Sequence, residues 1–352
     1  MKKHRYINGA ELITNFKKYY PGASVFNLPT TYRCAREITR ISNLIAARID
    51  GSHIDTANQN EGKIQIFAPF ESQREEAYNI SAMAIDKFRQ NKTVRILYRT
   101  NAQSLTFQHI MLQENIPYSI NQTTSIFHTK EAKTAIACCE FAFEYDKLTL
   151  EMKIACLKNL KPLIANKFEL YALTKKMQEL TADCFANPYP FHNDSKTERI
   201  IDELIELKET FSRCQSISDV FNFVGKICKD DDSFSDNAED NLIGIAEFAS
   251  ECKSLGELNQ LIDQISKPRL LAPGEKAISL STIHGAKGLE NLVVFITGIV
   301  DDCFPHKNGE NAEELKLFYV AITRAKSELY LSSFLSFGRK EYSGTTYIDM
   351  IR

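Results

Sequence analysis

Three short segments of the sequence place side chains suited to phosphate chemistry at the ends of apolar runs. They cover residues 30–34, 281–290 and 317–326, and each lies at a junction between predicted elements. In parallel sheets, ligands bind at the carboxyl ends of the strands. We therefore treat the three segments together as a candidate site for a phosphate-bearing ligand.

The first segment carries Tyr32 and Arg33 between a predicted strand and a predicted helix. A guanidinium group at such a junction can point a fork of donors at a phosphate. The neighbouring tyrosine ring offers a flat face to a base. The alternative is that Arg33 satisfies a loop carbonyl beside a half-buried tyrosine, and this segment taken alone favours that alternative.

The second segment crowds a hydroxyl, an imidazole, an ammonium group and a carboxylate into one turn. These groups come from Thr282, His284, Lys287 and Glu290. Two glycines in the same turn allow close backbone approach or a positive φ. Such a set is unusual for packing alone, although a single histidine is more often structural.

The third segment is an apolar helix whose last turn ends in Thr323, Arg324, Ala325 and Lys326, just before a strand. Cations at this position suit the helix dipole, which is the plain explanation. The alternative is that Arg324 is an arginine finger that contacts a transferring phosphoryl group.

Strands alternate with helices in the first third of the chain and again after residue 272. This pattern predicts the α/β class, with one parallel sheet covered by helices on both faces. The sheet would be built from residues 1–130 and 272–352, and an all-helical insertion over 131–271 would interrupt it. At the start of the chain, the pattern predicts a helix over residues 11–19 and a strand over 24–28.

The composition is that of a globular protein. The 352 residues include 43% hydrophobic and 25% charged residues, and the formal net charge is -2. This balance excludes a uniformly basic protein that wraps nucleic acid, but it is compatible with a local basic groove. The nine cysteines lack C-x-x-C spacing, so we predict no metal site and reduced thiols in a cytoplasmic protein. No apolar run approaches a membrane span, and the first residues do not resemble a secretory signal.

In order and spacing, the three segments resemble motifs IV, V and VI of the UvrD/Rep/PcrA group of superfamily 1 DNA helicases. Residues 97–104, followed by 116–118, are similar to that group's segment on the same subdomain. The resemblance covers nearly the whole chain and is weakest across the helical block. It implies the C-terminal half of such a helicase: the second RecA-like lobe with its inserted helical subdomain. The ordered set of motifs is far more specific than any one of them.

In that family two RecA-like lobes sandwich ATP, so the resemblance implies ATP as the cofactor. It also implies that Arg33 and Arg324 reach the γ-phosphate and stabilise the charge that develops there. Tyr32 would stack on the adenine, and Glu290 would accept a hydrogen bond from a ribose hydroxyl. Sequence-independent contacts to single-stranded DNA are implied for Thr282, His284, Arg99, Asn101 and Ser104.

The sequence also departs from the family's pattern. It contains no G-x-x-x-x-G-K-[ST] loop to hold the phosphates, and no apolar strand ends in an acidic pair for Mg²⁺. Residues 6–10 resemble the tail of motif III only in part. Ile7 stands where an aromatic residue is expected, and Asn8 stands where an arginine is expected. Asn291 stands where an aromatic residue is usual, and residues 160–163 replace a Gly-Ile-Gly turn that the family uses against duplex DNA.

These observations favour an ATP-dependent 3′-to-5′ DNA helicase or translocase in which this chain supplies the arginine-bearing, DNA-contacting half. Hydrolysis would require a partner polypeptide with the first lobe, which would also hold most of the Mg²⁺ ligands. The chain alone is predicted not to hydrolyse ATP. An alternative is a non-catalytic module, or a remnant, that binds single-stranded DNA or a protein. The intact Arg33 and Arg324 favour the helicase, whereas the altered residues 6–10 favour the alternative.

Overall fold

A computed structural model describes most of the chain. The described residues are 15–24, 26, 28–120, 125–192, 194–229, 231, 234–235, 237–266 and 271–352. The predicted helix over residues 11–19 lies partly outside them, and its described part is helical over Phe16–Tyr19. The predicted strand over 24–28 also lies partly outside them, and the strand described nearby is Thr30–Thr31.

The described strands form one six-stranded parallel sheet and two small two-stranded sheets. The strands are β1 (Thr30–Thr31), β2 (Asp55–Thr56), β3 (Lys63–Ile66), β4 (Val94–Tyr98), β5 (Tyr118–Ile120), β6 (Ile278–Thr282), β7 (Asn291–Ile296), β8 (Ala325–Leu331), β9 (Ser336–Phe337) and β10 (Lys340–Glu341). The large sheet has the order β3-β8-β7-β4-β6-β5, so the strands that flank the helical block in sequence, β5 and β6, are neighbours.

Thirteen helices accompany these strands among the described residues. They are α1 (Phe16–Tyr19), α2 (Arg36–Ile49), α3 (Gln73–Arg89), α4 (Ser104–Gln113), α5 (Lys130–Cys139), α6 (Leu150–Asn159), α7 (Lys167–Leu180), α8 (Ser195–Ser212), α9 (Ile217–Lys229), α10 (Ala238–Ala249), α11 (Leu255–Ser266), α12 (Asn311–Ile322) and α13 (Thr346–Asp349). None of them combines the length and the apolar character that crossing a membrane requires.

Apolar side chains on the central strands point to both faces of the sheet, which explains why helices cover both faces. In β7, Val294 and Ile296 point to a core shared with α2 and α12, whereas Val293 and Phe295 point to a core shared with α3 and α4. Successive side chains of a strand face opposite ways, so a strand apolar at every position must be buried on both faces. The predicted α/β class with a covered parallel sheet is therefore confirmed.

The segment between β5 and β6 is helical, as predicted, and its core extends into the lobe, where it includes Ala102 and Leu105. One of its helices, α10, also packs closely on the lobe. A Cβ built on Gly244 would lie 2.5 Å from Cβ of Ala102 in the turn Asn101–Gln103. Only a glycine permits this backbone approach without displacement. The division at residues 131 and 271 stays a prediction, because α10 contributes to the packing of both parts.

Candidate functional site

The carboxyl ends of β4 and β6 lie side by side at one edge of the large sheet. Tyr98 is the register partner of Thr282, and the amide of Ile283 donates to the Tyr98 carbonyl at 3.0 Å. Because both strands are parallel, the residues that follow them emerge at the same edge. The sheet thus brings the second predicted segment next to residues 97–104.

The first segment is held by β1 and by side chains that satisfy its backbone. Thr56 donates from Oγ1 to the Cys34 carbonyl at 2.8 Å, and Asn58 donates from Nδ2 to the Arg33 carbonyl at 3.1 Å. The main chain around Arg33 is therefore fixed by its neighbours. Tyr32 projects from this loop with 81% of its surface exposed, so its ring contributes little to the core.

Tyr32, Arg33 and Arg324 line one open cleft of about 440 Å³, which we call the arginine cleft. Its walls are the first segment, α2 and the end of α12. Burial lowers the pKa of the Arg324 guanidinium, and the positive charge of nearby Arg33 lowers it further. The two guanidinium groups, 291 positions apart in sequence (324 minus 33), are therefore brought to one place.

Arg324 is folded back on the end of α12. Its Nε donates to the Val320 carbonyl at 3.0 Å, and its Nη1 donates to the Leu289 carbonyl at 3.2 Å. The first contact is the helix-end interaction that the plain interpretation of this segment expects. The second ties Arg324 to the residue before Glu290, so the second and third segments are joined through this side chain.

Glu290 lies among cations at the rim of this region. Its Oε1 accepts from Nζ of Lys326 at 2.6 Å, and its Oε2 pairs with Arg33. The hydrogen bond from Lys326 lowers the pKa of Glu290, and the charges of Arg33 and Arg324 act in the same direction. The carboxyl group is therefore ionised at neutral pH. Each of its oxygens already has a cationic partner, and a ribose hydroxyl would have to share one of them.

A second cavity of about 480 Å³, which we call the polar groove, lies between the sheet edge and the helical block. It is lined by four of the five side chains proposed to contact DNA and by residues of the block. The four are Arg99, Asn101, Thr282 and His284, and the block contributes among others Lys130, Phe234 and Asn237.

Ser104, the fifth of these side chains, does not line the groove. It is 1% exposed, its Oγ donates to the Asn101 carbonyl at 2.6 Å, and it accepts from Nε2 of Gln108 at 3.0 Å. A buried hydroxyl that is bonded in this way cannot touch a DNA strand in this conformation. Its contribution is to hold the backbone of Asn101, so Ser104 is not among the DNA contacts that we propose below.

Arg99 reaches the groove but pairs with Glu314, a buried acid. The Nη2 to Oε1 distance is 2.6 Å and the Nε to Oε2 distance is 3.0 Å. The amide of His306 also donates to Oε2, at 3.0 Å. Such a two-point ion pair leaves few donors for a phosphate. Sequence reasoning missed Glu314, because nothing in its surroundings on an amphipathic helix marks it as the partner of Arg99.

Thr282 and His284 lie on the turn that follows β6. The amide of Gly285 donates to Oγ1 of Thr282 at 3.2 Å, which leaves the hydroxyl hydrogen available to a phosphate oxygen. Burial lowers the pKa of His284, and the positive charge of Arg99 lowers it further. The imidazole is therefore neutral at pH 7 and can offer a phosphate one N–H donor without a charge.

No group of three or more His, Cys, Asp or Glu side chains is arranged to hold a metal ion within the part of the chain that the structure describes. Burial raises the pKa of Cys34, Cys138 and Cys139. Thiols held in this protonated form are poor ligands and poor nucleophiles.

The sequence profile of the UvrD-like helicase C-terminal domain matches residues 26–336, which include both cavities' strand ends and the parallel sheet. The chain therefore belongs to the UvrD-like helicase C-terminal domain family. The predicted family is thereby confirmed.

The chain is similar to several curated helicases. It is 27% identical to the probable DNA helicase II homolog of Mycoplasma capricolum, over 92% of this chain and 48% of that protein. It is 27% identical to the ATP-dependent DNA helicase PcrA of Staphylococcus epidermidis, over 95% of this chain and 50% of that protein. It is also 27% identical to the ATP-dependent DNA helicase PcrA of Bacillus subtilis, over 92% of this chain and 49% of that protein. The chain spans about half the length of these relatives and corresponds to their C-terminal half.

Proposed function

We propose that this chain supplies one wall of an ATP site, and one side of a single-stranded DNA path, in a DNA helicase or translocase of the PcrA/UvrD type. The observation that carries the proposal is the arginine cleft, where Arg33 and Arg324 lie together with the exposed ring of Tyr32 beside them. Two arginines that line the same cleft suit a group that bears several negative oxygens.

In this proposal the two arginines act on the γ-phosphate from across the cleft. Arg324 would leave the carbonyls of Val320 and Leu289, and Arg33 would leave Glu290, because a triphosphate carries more charge than any of these partners. Both would stabilise negative charge on the transferring phosphoryl oxygens. Tyr32 would stack on the adenine and Glu290 would accept from the ribose.

The described residues that line the arginine cleft do not fit a Mg²⁺ ion. No described residue that lines the arginine cleft carries a carboxylate, and both oxygens of nearby Glu290 are held by cations. Mg²⁺ prefers oxygen ligands, chiefly carboxylates and phosphates. We therefore assign the metal ligands, and the phosphate-binding loop that this sequence lacks, to a first lobe.

The polar groove supports the nucleic-acid side of the proposal. Thr282, His284 and Asn101 would donate to phosphate oxygens of one DNA strand that crosses the lobe. Arg99 would act mainly through its charge, because its donors face Glu314. Such contacts read no sequence, so binding should weaken steeply with salt. A salt-independent affinity would contradict backbone contacts.

The alternative is that the chain only binds single-stranded DNA or a protein and takes no part in hydrolysis. One experiment distinguishes the two proposals. A chimera would join the N-terminal half of Bacillus subtilis PcrA to this chain, and DNA-stimulated ATP hydrolysis would be compared with that of the chain alone. We expect turnover in the chimera and none in the chain alone. A folded chimera that binds DNA without hydrolysing ATP would favour the alternative.

A further inference from the structure

Arg95 is a charged residue in the interior of the large sheet. It lies on β4, whose five residues are all buried, and only 8% of its surface is exposed. Burial lowers the pKa of its guanidinium group, and the positive charge of Arg324 lowers that pKa further. The pKa of an arginine starts so high that the side chain keeps its charge in a protein. The sheet therefore contains a buried cation close to the arginine cleft.

No carboxylate in the described part of the chain pairs with Arg95. Its Nε donates to Oδ1 of Asn291 at 2.6 Å, and its Nη1 donates to Oγ of Ser281 at 3.3 Å. Both acceptors are neutral, whereas the nearby Arg99 pairs with Glu314. A buried charge without a counter-charge costs free energy. Stability alone therefore does not account for an arginine at this position.

The two acceptors of Arg95 stand at the two ends of the second segment. Ser281 lies in β6, where the segment begins, and Asn291 is the first residue of β7, directly after Glu290. Since β6 and β7 flank β4 in the sheet, one guanidinium group contacts both ends. A planar fork of donors holds its acceptors in a fixed geometry. Arg95 therefore fixes where this segment leaves the sheet and where it returns.

Asn291 connects Arg95 to the arginine cleft. Its amide donates to the Arg324 carbonyl at 3.1 Å, and it is the register partner of Ala325. Arg324 in turn donates from Nη1 to the Leu289 carbonyl at 3.2 Å. Residues 289–291 thus hold both the backbone and the side chain of Arg324. Arg95 holds these residues through the side chain of Asn291.

An irregularity in β7 turns Asn291 towards Arg95. The register with β8 shifts between Asn291 and Val293, which in a regular strand would face the same side of the sheet. Val293 and Ile96 belong to the core shared with α3 and α4. Arg95 precedes Ile96 and so faces the other side. Irregularities of this kind re-aim a side chain and are frequent beside functional sites.

We propose that Arg95 is a positioning residue of the arginine cleft, which through Asn291 fixes the backbone from which Arg324 reaches a phosphate. The catalytic consequence rests on the proposed function, whereas the support of Arg324 exists without a nucleotide. Arg95 does not line the cleft, so it acts through Arg324 and not on the ligand. Asn291 stands where an aromatic residue is usual in the family, and a phenylalanine ring offers no acceptor to a guanidinium group. This support is therefore a feature of the present chain.

The first test uses the chain itself, with isotopic nitrogen in its arginines. The Nε–H signal of Arg324 is identified by its absence in Arg324→Lys, and its exchange with water is measured by NMR. In Arg95→Met we expect exchange about tenfold faster, which is the effect of losing one hydrogen bond to a charged group. Arg213→Met, whose side chain is 81% exposed, should leave the signal unchanged. Equal Arg324 signals in the two variants would overturn the proposal.

The second test separates positioning from a purely structural role. Arg95→Met removes a buried charge that has no counter-charge, so the midpoint of urea unfolding of the chain should not fall. In the chimera, kcat should fall about tenfold or more, since small misplacements of a catalytic group are costly. The KM for ATP should change little, because Arg95 lies outside the cleft. A lower urea midpoint with an unchanged kcat would overturn the proposal.

A third test uses rescue. Asn291→Phe alone places a ring against Arg95 and should also lower kcat, whereas Arg95→Ala/Asn291→Phe makes room for that ring. The double variant should retain more activity than the two single effects multiplied together, because the two side chains are in contact. Single effects that simply multiply would overturn the proposal. If the unmodified chimera shows no turnover, the proposed function fails, and the Arg324 signal of the chain alone still decides the role of Arg95.

Discussion

Lys326 donates to the carboxylate of Glu290 at 2.6 Å between Nζ and Oε1, while Arg33 pairs with the other oxygen. A single acid thus sits between a lysine and an arginine at the rim of the cleft that Arg324 also lines. The hydrogen bond from Lys326 lowers the pKa of Glu290, so the acid stays ionised well below neutral pH. Both of its oxygens have cationic partners, and one of these partners is Arg33.

The proposed ribose contact predicts a loss of sugar discrimination in Glu290→Ala. In the chimera described above, the unmodified site should prefer ATP to 2′,3′-dideoxy-ATP by about tenfold, since a hydrogen bond to a charged group contributes roughly 1.5–3 kcal/mol. The variant should accept both nucleotides with similar KM. A variant that keeps the full preference would show that Glu290 does not contact the sugar.

Stacking of the adenine on Tyr32 predicts that Tyr32→Ala raises the KM for ATP in the chimera by about fivefold or more, because stacking contributes roughly 1–3 kcal/mol per base. Tyr32→Phe keeps the ring and should retain the affinity. The thermal midpoint should not change in either variant, because the side chain is mostly exposed. Equal KM values for the alanine and phenylalanine variants would exclude stacking.

The contact between α10 and the lobe predicts opposite effects for two glycine substitutions. In Gly244→Ala the new Cβ would lie 2.5 Å from Cβ of Ala102, and overpacking of this kind costs about 1–3 kcal/mol. In Gly225→Ala the nearest atom is Cβ of Leu242 at 3.5 Å, so the variant should gain about 0.5–1 kcal/mol in helix stability.

Urea unfolding measures the difference between these variants. The Gly244 variant should also bind oligo(dT) more weakly, because Asn101 of the polar groove belongs to the displaced turn. Equal stability of the two variants would mean that α10 yields without strain.

Glu76 predicts a pH dependence of stability. Burial raises its pKa to about 7, against a hydrogen bond from the Gly298 amide. Between pH 4.5 and 7 the folded chain therefore keeps a proton that the unfolded chain releases. The free energy of unfolding should fall as pH rises through this window, by on the order of 3 kcal/mol from this group.

Urea unfolding at the two ends of that window tests this. Glu76→Gln should remove most of this fall, whereas the exposed control Glu114→Gln should leave it unchanged. If the Glu76 variant retains the same pH dependence as the control, the proton is bound elsewhere.

The sheet and the family could be predicted from local patterns. The strand that contains Val293 and Phe295 is apolar at consecutive positions, and only a strand buried on both faces has that pattern. The three motifs likewise mark the loops that follow strands. The partners of the predicted side chains could not be foreseen, since Arg99 and Glu314 are 215 residues apart and meet only through the packing of α12.

The burial of individual side chains also could not be predicted from the sequence pattern. Ser104 is a polar residue and its type favours an exposed position, yet its side chain turns inward to the Asn101 carbonyl. Phe26 and Leu28 suggest a buried strand by their type, but both are highly exposed. Apolar character predicts burial only when another element is present to cover it.

The most direct test of the central claim is a double-mutant cycle on DNA-stimulated ATP hydrolysis by the chimera, with Arg33→Ala, Arg324→Ala and both together. If both arginines act on one phosphoryl group, each single variant should lower kcat by about a thousandfold or more. The double variant should then be little worse than either, because groups that act as a unit are not additive. Near-normal turnover in both single variants would contradict the account, as would two independent effects that simply multiply.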